Sequence, residues 1–328
     1  MMISALLGGG SSGGAGASAK YAFLLLLACP LAARAAAAPD HKSLASYDFD
    51  ASIPLPRLRP MPPWLLQMWK ENDEAPYQAY TPTMEEAKIL SDAFAGLPAP
   101  MRKTLTERVI AVYLVKNLKG NGITDWVLDS SSRPYVYMIL NPAGFRQTLS
   151  QLMTERDLTL FKTMPDLRVE AGDKPGILYT VAHESTHAFD YVNNVTPYTE
   201  PGMQKILHPG KTAAARWDVW AEYTKPNAGV DYPLRAKLHF YGFGAPELEA
   251  AQAAELCSEW AASPFASFYG SRSWAEDLAE LFVLRHLTQD LGLPLRRYCG
   301  AKVISPWSNP NVRGRAERLL KPLYGPAQ

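Results

Sequence analysis

The stretch Thr180–Phe189, TVAHESTHAF, decides how the rest of this 328-residue chain is read. It contains His183-Glu184-x-x-His187, with uncharged Ser185 and Thr186 between the histidines. On a helix, positions i and i+4 lie one above the other, so both imidazoles can reach one metal ion. Glu184 then stands beside them, placed to act as a base without being a ligand. The flanks support a helix: Asp173 can cap it and Pro175 can open it. Ile177, Val181, Ala188 and Val192 gather on the face opposite the histidines, available to a core.

Two histidines do not complete a zinc site, which takes three protein ligands when it is catalytic. A HExxHxxGxxH arrangement needs Gly at 190 and His at 193, where Asp190 and Asn193 stand, and the region around Ile206 and Leu207 offers no glutamate. The third ligand is therefore expected from a later helix. Ser273–Glu280, SWAEDLAE, places Glu276 and Glu280 at i and i+4, and Val283 and Leu287 continue the same face. Carboxylates on an apolar stripe must be paired, hydrogen-bonded or metal-bound, because burying a bare one is very costly. A capping box with Ser273 would explain Glu276 but leave Glu280 without a role. The metal reading explains both: Glu276 is the third ligand and Glu280 the partner of a histidine N–H. Asp190, on the face of His183, can orient a ligand histidine, end the helix or meet a cation.

HESTH, followed far downstream by Tyr269-Gly-x-x-x-x-x-Glu276-x-x-x-Glu280, resembles the gluzincin metallopeptidases with a distant glutamate ligand. The layout is similar to that of the catalytic domain of anthrax lethal factor, where a tyrosine precedes the ligand glutamate at the same spacing. The resemblance implies His183, His187 and Glu276 as zinc ligands, Glu184 as general base and Tyr269 as oxyanion stabiliser. A tyrosine near a motif can equally be packing. The continuation HAFD also resembles neprilysin-type peptidases, in which an acidic residue orients a histidine, although the distance to Glu276 is much longer here. The resemblance rests on two short motifs and a helix–strand–strand–helix order. It assigns no counterpart to the proline-rich or aromatic-rich segments described next.

Composition sets the surroundings. Hydrophobic residues make up 47% and charged residues 20%, ordinary for a globular protein with a sizeable core. Lys+Arg is 33 against Asp+Glu 32, so no basic excess exists to hold a phosphate backbone, and nucleic acid is not an expected partner. Lys20, the apolar run Tyr21–Ala28 and the small residues around Ala33-Arg34-Ala35 form a secretory signal pattern over 1–38, too short to span a bilayer. Secretion or export to a periplasm is the expected localisation. Leu26-Leu27-Ala28-Cys29 loosely resembles a lipobox, but Pro30 follows the cysteine at once. Cys257 and Cys299 remain as an even pair, either a disulfide or two buried thiols.

Residues 39–82 form a proline-rich strap in which Pro54, Pro56, Pro60, Pro62 and Pro63 favour extended backbone, while Trp64 and Trp69 call for packing on the main domain. Thr83 and Glu86 open a helix through Phe94, and a second helix is expected over 101–116. Gly122–Asp129 and Tyr135–Leu140 read as paired strands. Residues 195–250 form an aromatic insertion in which Trp217, Trp220 and Tyr241 can line a groove or fill a core. The expectation is an α+β, zincin-like domain over 83–328, mostly helical with a small sheet. It would be a secreted zinc metallopeptidase acting on peptide or protein substrates. The same motif also serves non-peptide zinc hydrolases, and a scaffold of this kind can survive as a silent binding module.

Overall fold

Seven successive apolar residues in Val109–Lys116, VIAVYLVK, form a strand buried on both sides. The computed structural model describes residues 39–197 and 216–325. From Pro39 onward they belong to one compact unit of mixed α+β structure with small sheets. The principal sheet has four strands, β1 (Gln78–Ala79), β2 (Val109–Lys116), β3 (Gly122–Leu128) and β4 (Pro134–Leu140), in the order β1-β2-β4-β3. β2 and β4 run parallel, while β3 and β4 form the expected antiparallel pair, in register from Gly122 opposite Leu140 to Leu128 opposite Pro134.

Alternation along these strands feeds two cores. Trp126, Val136, Met138 and Leu140 face one side, and Val127, Tyr137 and Ile139 the other. The second side is covered by residues 39–82, including a helix α1 (Pro63–Asp73) whose Leu65 is fully buried. Trp69 Nε1 donates to the Tyr137 hydroxyl at 3.2 Å. The first side is covered by α2 (Met84–Ala95), α3 (Ala99–Arg108), α4 (Leu149–Leu158) and α5 (Ile177–Asn193), which carries the histidine motif. β5 (Leu167–Glu170), β8 (Arg296–Cys299) and β9 (Lys302–Ile304) make a three-stranded sheet, and β6 (Trp220–Glu222) with β7 (Lys225–Pro226) a short hairpin. α6 (Ala253–Ala262), α7 (Trp274–Arg285) and α8 (Pro310–Leu319) complete the unit.

Three expectations are corrected. The helix over 101–116 ends at Arg108, and Val109 turns to extended backbone. Leu105, Val109 and Val112 do recur at helical spacing, but a strand buried on both faces is apolar at every position. Its β-branched and aromatic residues then decide. The strap is not extended throughout, because Pro62 and Pro63 sit at the N-cap and first position of α1, where proline costs no hydrogen bond. α5 starts at Ile177, later than Asp173 and Pro175 suggest. That approach is instead held to the start of α4: Leu149 N–H donates to Lys174 O, and Gly176 N–H to Gln147 O at 2.7 Å. The signal pattern over 1–38, with Cys29, and the insertion residues 198–215 lie outside the described residues. Among the described residues, no helix is long and apolar enough to cross a membrane.

Cys257 on α6 and Cys299 on β8 are joined in a disulfide across 42 residues of sequence. Closing a loop of that size removes unfolded-state entropy worth about 4 kcal/mol in the chain-entropy model, with measured effects of roughly 2–4 kcal/mol. Replacing both cysteines by serine should lower unfolding free energy by roughly 2–4 kcal/mol in urea titrations. Equal stability of the two proteins would show that the bond adds nothing.

Candidate metal centre

α5 is buried on nearly every side, and its His183, Glu184 and His187 line one cleft of about 230 Å³. His183 and His187 reach it from successive turns of the helix, and Glu276 reaches it from the first turn of α7. Ser273 caps α7 by accepting from the Glu276 N–H at 3.3 Å. The Glu276 side chain does not fold back to complete a capping box and is spent on the histidines. His183 Nε2 lies 3.0 Å from Glu276 Oε2 and 3.1 Å from His187 Nε2, and His187 Nε2 lies 3.5 Å from the same carboxylate oxygen. Ligand atoms about 2.0–2.2 Å from a tetrahedral ion stand about 3.3–3.5 Å apart, so these three atoms outline one face of such a site.

Charge supports the same fit. Arg156 and Arg297 make direct ion pairs that match Asp157 and Glu280. That leaves Glu276, held ionised beside the imidazoles, with the His183 proton as its counter-charge, the position a cation would take on displacing that proton. His183, His187 and Glu276 are the candidate ligands that converge among the described residues. An imidazole pair with a carboxylate is a donor set that suits zinc.

Glu280, one turn beyond Glu276, meets the other side of His183. Its Oε1 lies 3.1 Å from His183 Nδ1 and accepts from Tyr179 OH at 2.6 Å, and its Oε2 accepts from Ser267 Oγ at 2.5 Å. Such a partner fixes the ring and leaves Nε2 for a metal. Burial works against ionising Glu280, but Arg156 and His183 outweigh it and hold its pKa well below the usual range. Glu276 is likewise held low, against burial, by the bonds from both histidines.

Glu184 is positioned by β3. Thr124 Oγ1 lies 2.7 Å from Glu184 Oε2 and 3.0 Å from the Glu184 carbonyl, a donor able to serve either. Opposite, a Cβ at Gly122 would fall 2.7 Å from the Glu184 side chain and from Thr180, so only glycine lets the strand approach this closely. Burial raises the Glu184 pKa, with His183, His187 and Thr124 pulling the other way. Tyr269 OH donates to Glu276 Oε1 at 3.1 Å, and burial, reinforced by the Glu276 charge, keeps the phenol protonated.

Other expected residues lie elsewhere. Asp190 accepts from the Thr196 N–H at 2.7 Å and its hydroxyl at 2.8 Å, which closes the end of α5, and among the described residues it bonds to neither histidine. Burial pushes its pKa up to about 6 despite those bonds. Trp217 and Trp220 belong to the core rather than a groove, with Trp220 Nε1 donating to Asp277 Oδ2 at 2.8 Å. Tyr241 does line the cleft, beside Tyr223. Sequence reasoning missed Gly122, Thr124, Tyr179, Ser267 and Arg156. Of these, Tyr179 precedes His183 by one turn and Ser267 stands just before Tyr269, so spacing could have found both. Arg156 and Thr124 arrive from distant elements and leave no local signal.

The electrostatics set a pH dependence. Burial disfavours a charged His183, but Glu276 and Glu280 outweigh it, and without a metal its pKa is pushed up to about 10. Below that pH the site holds a proton that a metal must displace, so affinity falls as pH falls. Zinc affinity should rise about tenfold from pH 7 to pH 8, read by competition with a chromophoric chelator corrected for its own titration. A flat profile would contradict this.

Compared with protein-family models, with curated proteins and with solved structures, the chain matches none.

Proposed function

We propose that the protein is a secreted zinc metallopeptidase with a zincin-like catalytic domain. The observation that carries this reading is the convergence of His183 Nε2, His187 Nε2 and Glu276 Oε2, from two helices far apart in sequence, beside a buried glutamate that is not itself one of the three. His183, His187 and Glu276 would hold the ion, with Glu280 orienting His183. When bound, zinc supplies a Lewis acid and lowers the pKa of a coordinated water to about 7.

Glu184 accepts the proton of the attacking water and passes it to the leaving amine nitrogen. A carboxyl whose pKa is raised by burial suits both halves of that transfer. Thr124 holds one Glu184 oxygen, which leaves Oε1 for the proton. Tyr269 keeps its proton and provides an O–H donor in the same cleft, the kind of group needed where the carbonyl oxygen gains charge.

The exposed edge of β3 supports a peptide as the substrate class. Asn141 N–H donates to Asn121 O and Leu128 N–H to Lys42 O, so alternation turns the backbone groups of Gly122 and Thr124 away from β4. That edge borders the cleft, where an extended peptide can add as a further strand. The disulfide and the N-terminal signal pattern both suit an oxidising, extracytoplasmic compartment.

Glu184→Gln keeps the size and the Thr124 bond but removes the base. Zinc content and fold should persist while cleavage of a peptide selected from a mixed library falls by about 10²- to 10⁴-fold. Unchanged cleavage would remove Glu184 from the mechanism. Zinc-loaded wild type that cuts no peptide would transfer the reading to a non-peptide hydrolase or a binding module.

A further inference from the structure

Arg156, on α4, has a side chain with no exposure to solvent. Its Nε and Nη1 are spent on protein groups, while Nη2 has no hydrogen-bond partner among the described residues. Nε donates to Asp157 Oδ1 at 3.0 Å, and Nη1 donates to Tyr179 OH at 2.6 Å and to Glu280 Oε2 at 3.0 Å. The second Asp157 oxygen is taken by Arg297 of β8, through Nε at 3.0 Å and Nη2 at 2.5 Å. A continuous ionic chain thus runs from Arg297 through Asp157, Arg156 and Glu280 to His183.

Glu280 divides its two oxygens between the ends of this arrangement. Oε1 faces His183 and Tyr179, and Oε2 faces Arg156 and Ser267. A carboxylate held on both oxygens cannot rotate, so the direction of its bond to His183 Nδ1 is set from behind. We propose that Arg156 is a positioning residue for the metal centre, acting through Glu280 to aim His183 Nε2 at the point shared with His187 and Glu276. Among the described residues it makes no hydrogen bond or ion pair with any of the three candidate ligands. The inference rests on the reading of those three as a zinc site.

A merely structural role, in which Arg156 balances buried carboxylates and holds α4 against α5 and α7, makes a different prediction. The test is zinc affinity by chelator competition in wild type, Arg156→Met, Glu280→Gln and the double variant, with folding checked by thermal denaturation. Partners that orient a metal ligand are typically worth about 10- to 100-fold in affinity, so each single variant should lose that much. Because Arg156 acts through Glu280, the double variant should bind zinc no more weakly than Glu280→Gln alone. It removes one charge of each sign, so the buried ionic balance is kept.

Wild-type affinity in folded Arg156→Met, or losses that multiply in the double variant, would overturn the proposal. If Arg156→Met does not fold, Arg156→Lys replaces it, since lysine keeps the charge but cannot span Tyr179, Asp157 and Glu280 together. It should lose affinity in the wild-type background and none beside Glu280→Gln, and an undiminished affinity in the wild-type background overturns the proposal. Wild type that binds no zinc removes the zinc reading and this inference together. Zinc-binding wild type with an unaffected Arg156 variant removes only the inference.

Discussion

Ionisable groups withdrawn from water on one helix must all find partners, and that requirement organises this protein. α5 carries His183, Glu184, His187 and Asp190, and the first, second and fourth of these are buried. Left unpaired, each would cost several kcal/mol in an apolar interior. The pairing comes from four directions around α5. α7 brings Glu276 and Glu280, β3 brings Thr124, α4 brings Arg156, and the turn after α5 brings Thr196. The polar groups therefore fix the relative placement of helices that apolar contacts alone would leave freer to slide.

The two core layers give this network its rigidity. β2 and β4 carry the layer under α5, and the strap with α1 closes the opposite face of the sheet, so β3 cannot drift from the helix it supports. Gly122 lets strand and helix approach until the Thr124 hydroxyl reaches the Glu184 carboxylate. On the other side, Arg297 stands two residues from Cys299, whose disulfide to Cys257 pins β8 to α6. Both ends of the ionic chain are thus anchored in regular structure, the arrangement a precise ligand geometry requires.

Much of the centre is legible in the sequence because it is built from helical repeats of four. The spacing of His183 and His187 and that of Glu276 and Glu280 place all four on the faces that meet. The 122–140 hairpin is legible from its turn cluster and its richness in β-branched and aromatic residues. Periodicity fails for 109–116, where burial on both faces erases the distinction between helix and strand. Proline density misleads over 39–82, because the position of a proline within a helix matters more than its abundance. Trp217 and Trp220 illustrate that an aromatic-rich segment does not say whether it lines a groove or fills a core. Arg156 and Thr124 are invisible because their roles exist only once distant elements are brought together.

Glu276 is the candidate ligand that joins α7 to the histidine helix. The most direct measurement is the metal content of purified protein by elemental analysis, comparing wild type with Glu276→Ala after dialysis against a weak chelator. About one zinc per chain in wild type and its near-complete loss in a folded Glu276→Ala protein is the predicted result. Zinc retained at wild-type stoichiometry in Glu276→Ala, or folded wild type that takes up none, would contradict it.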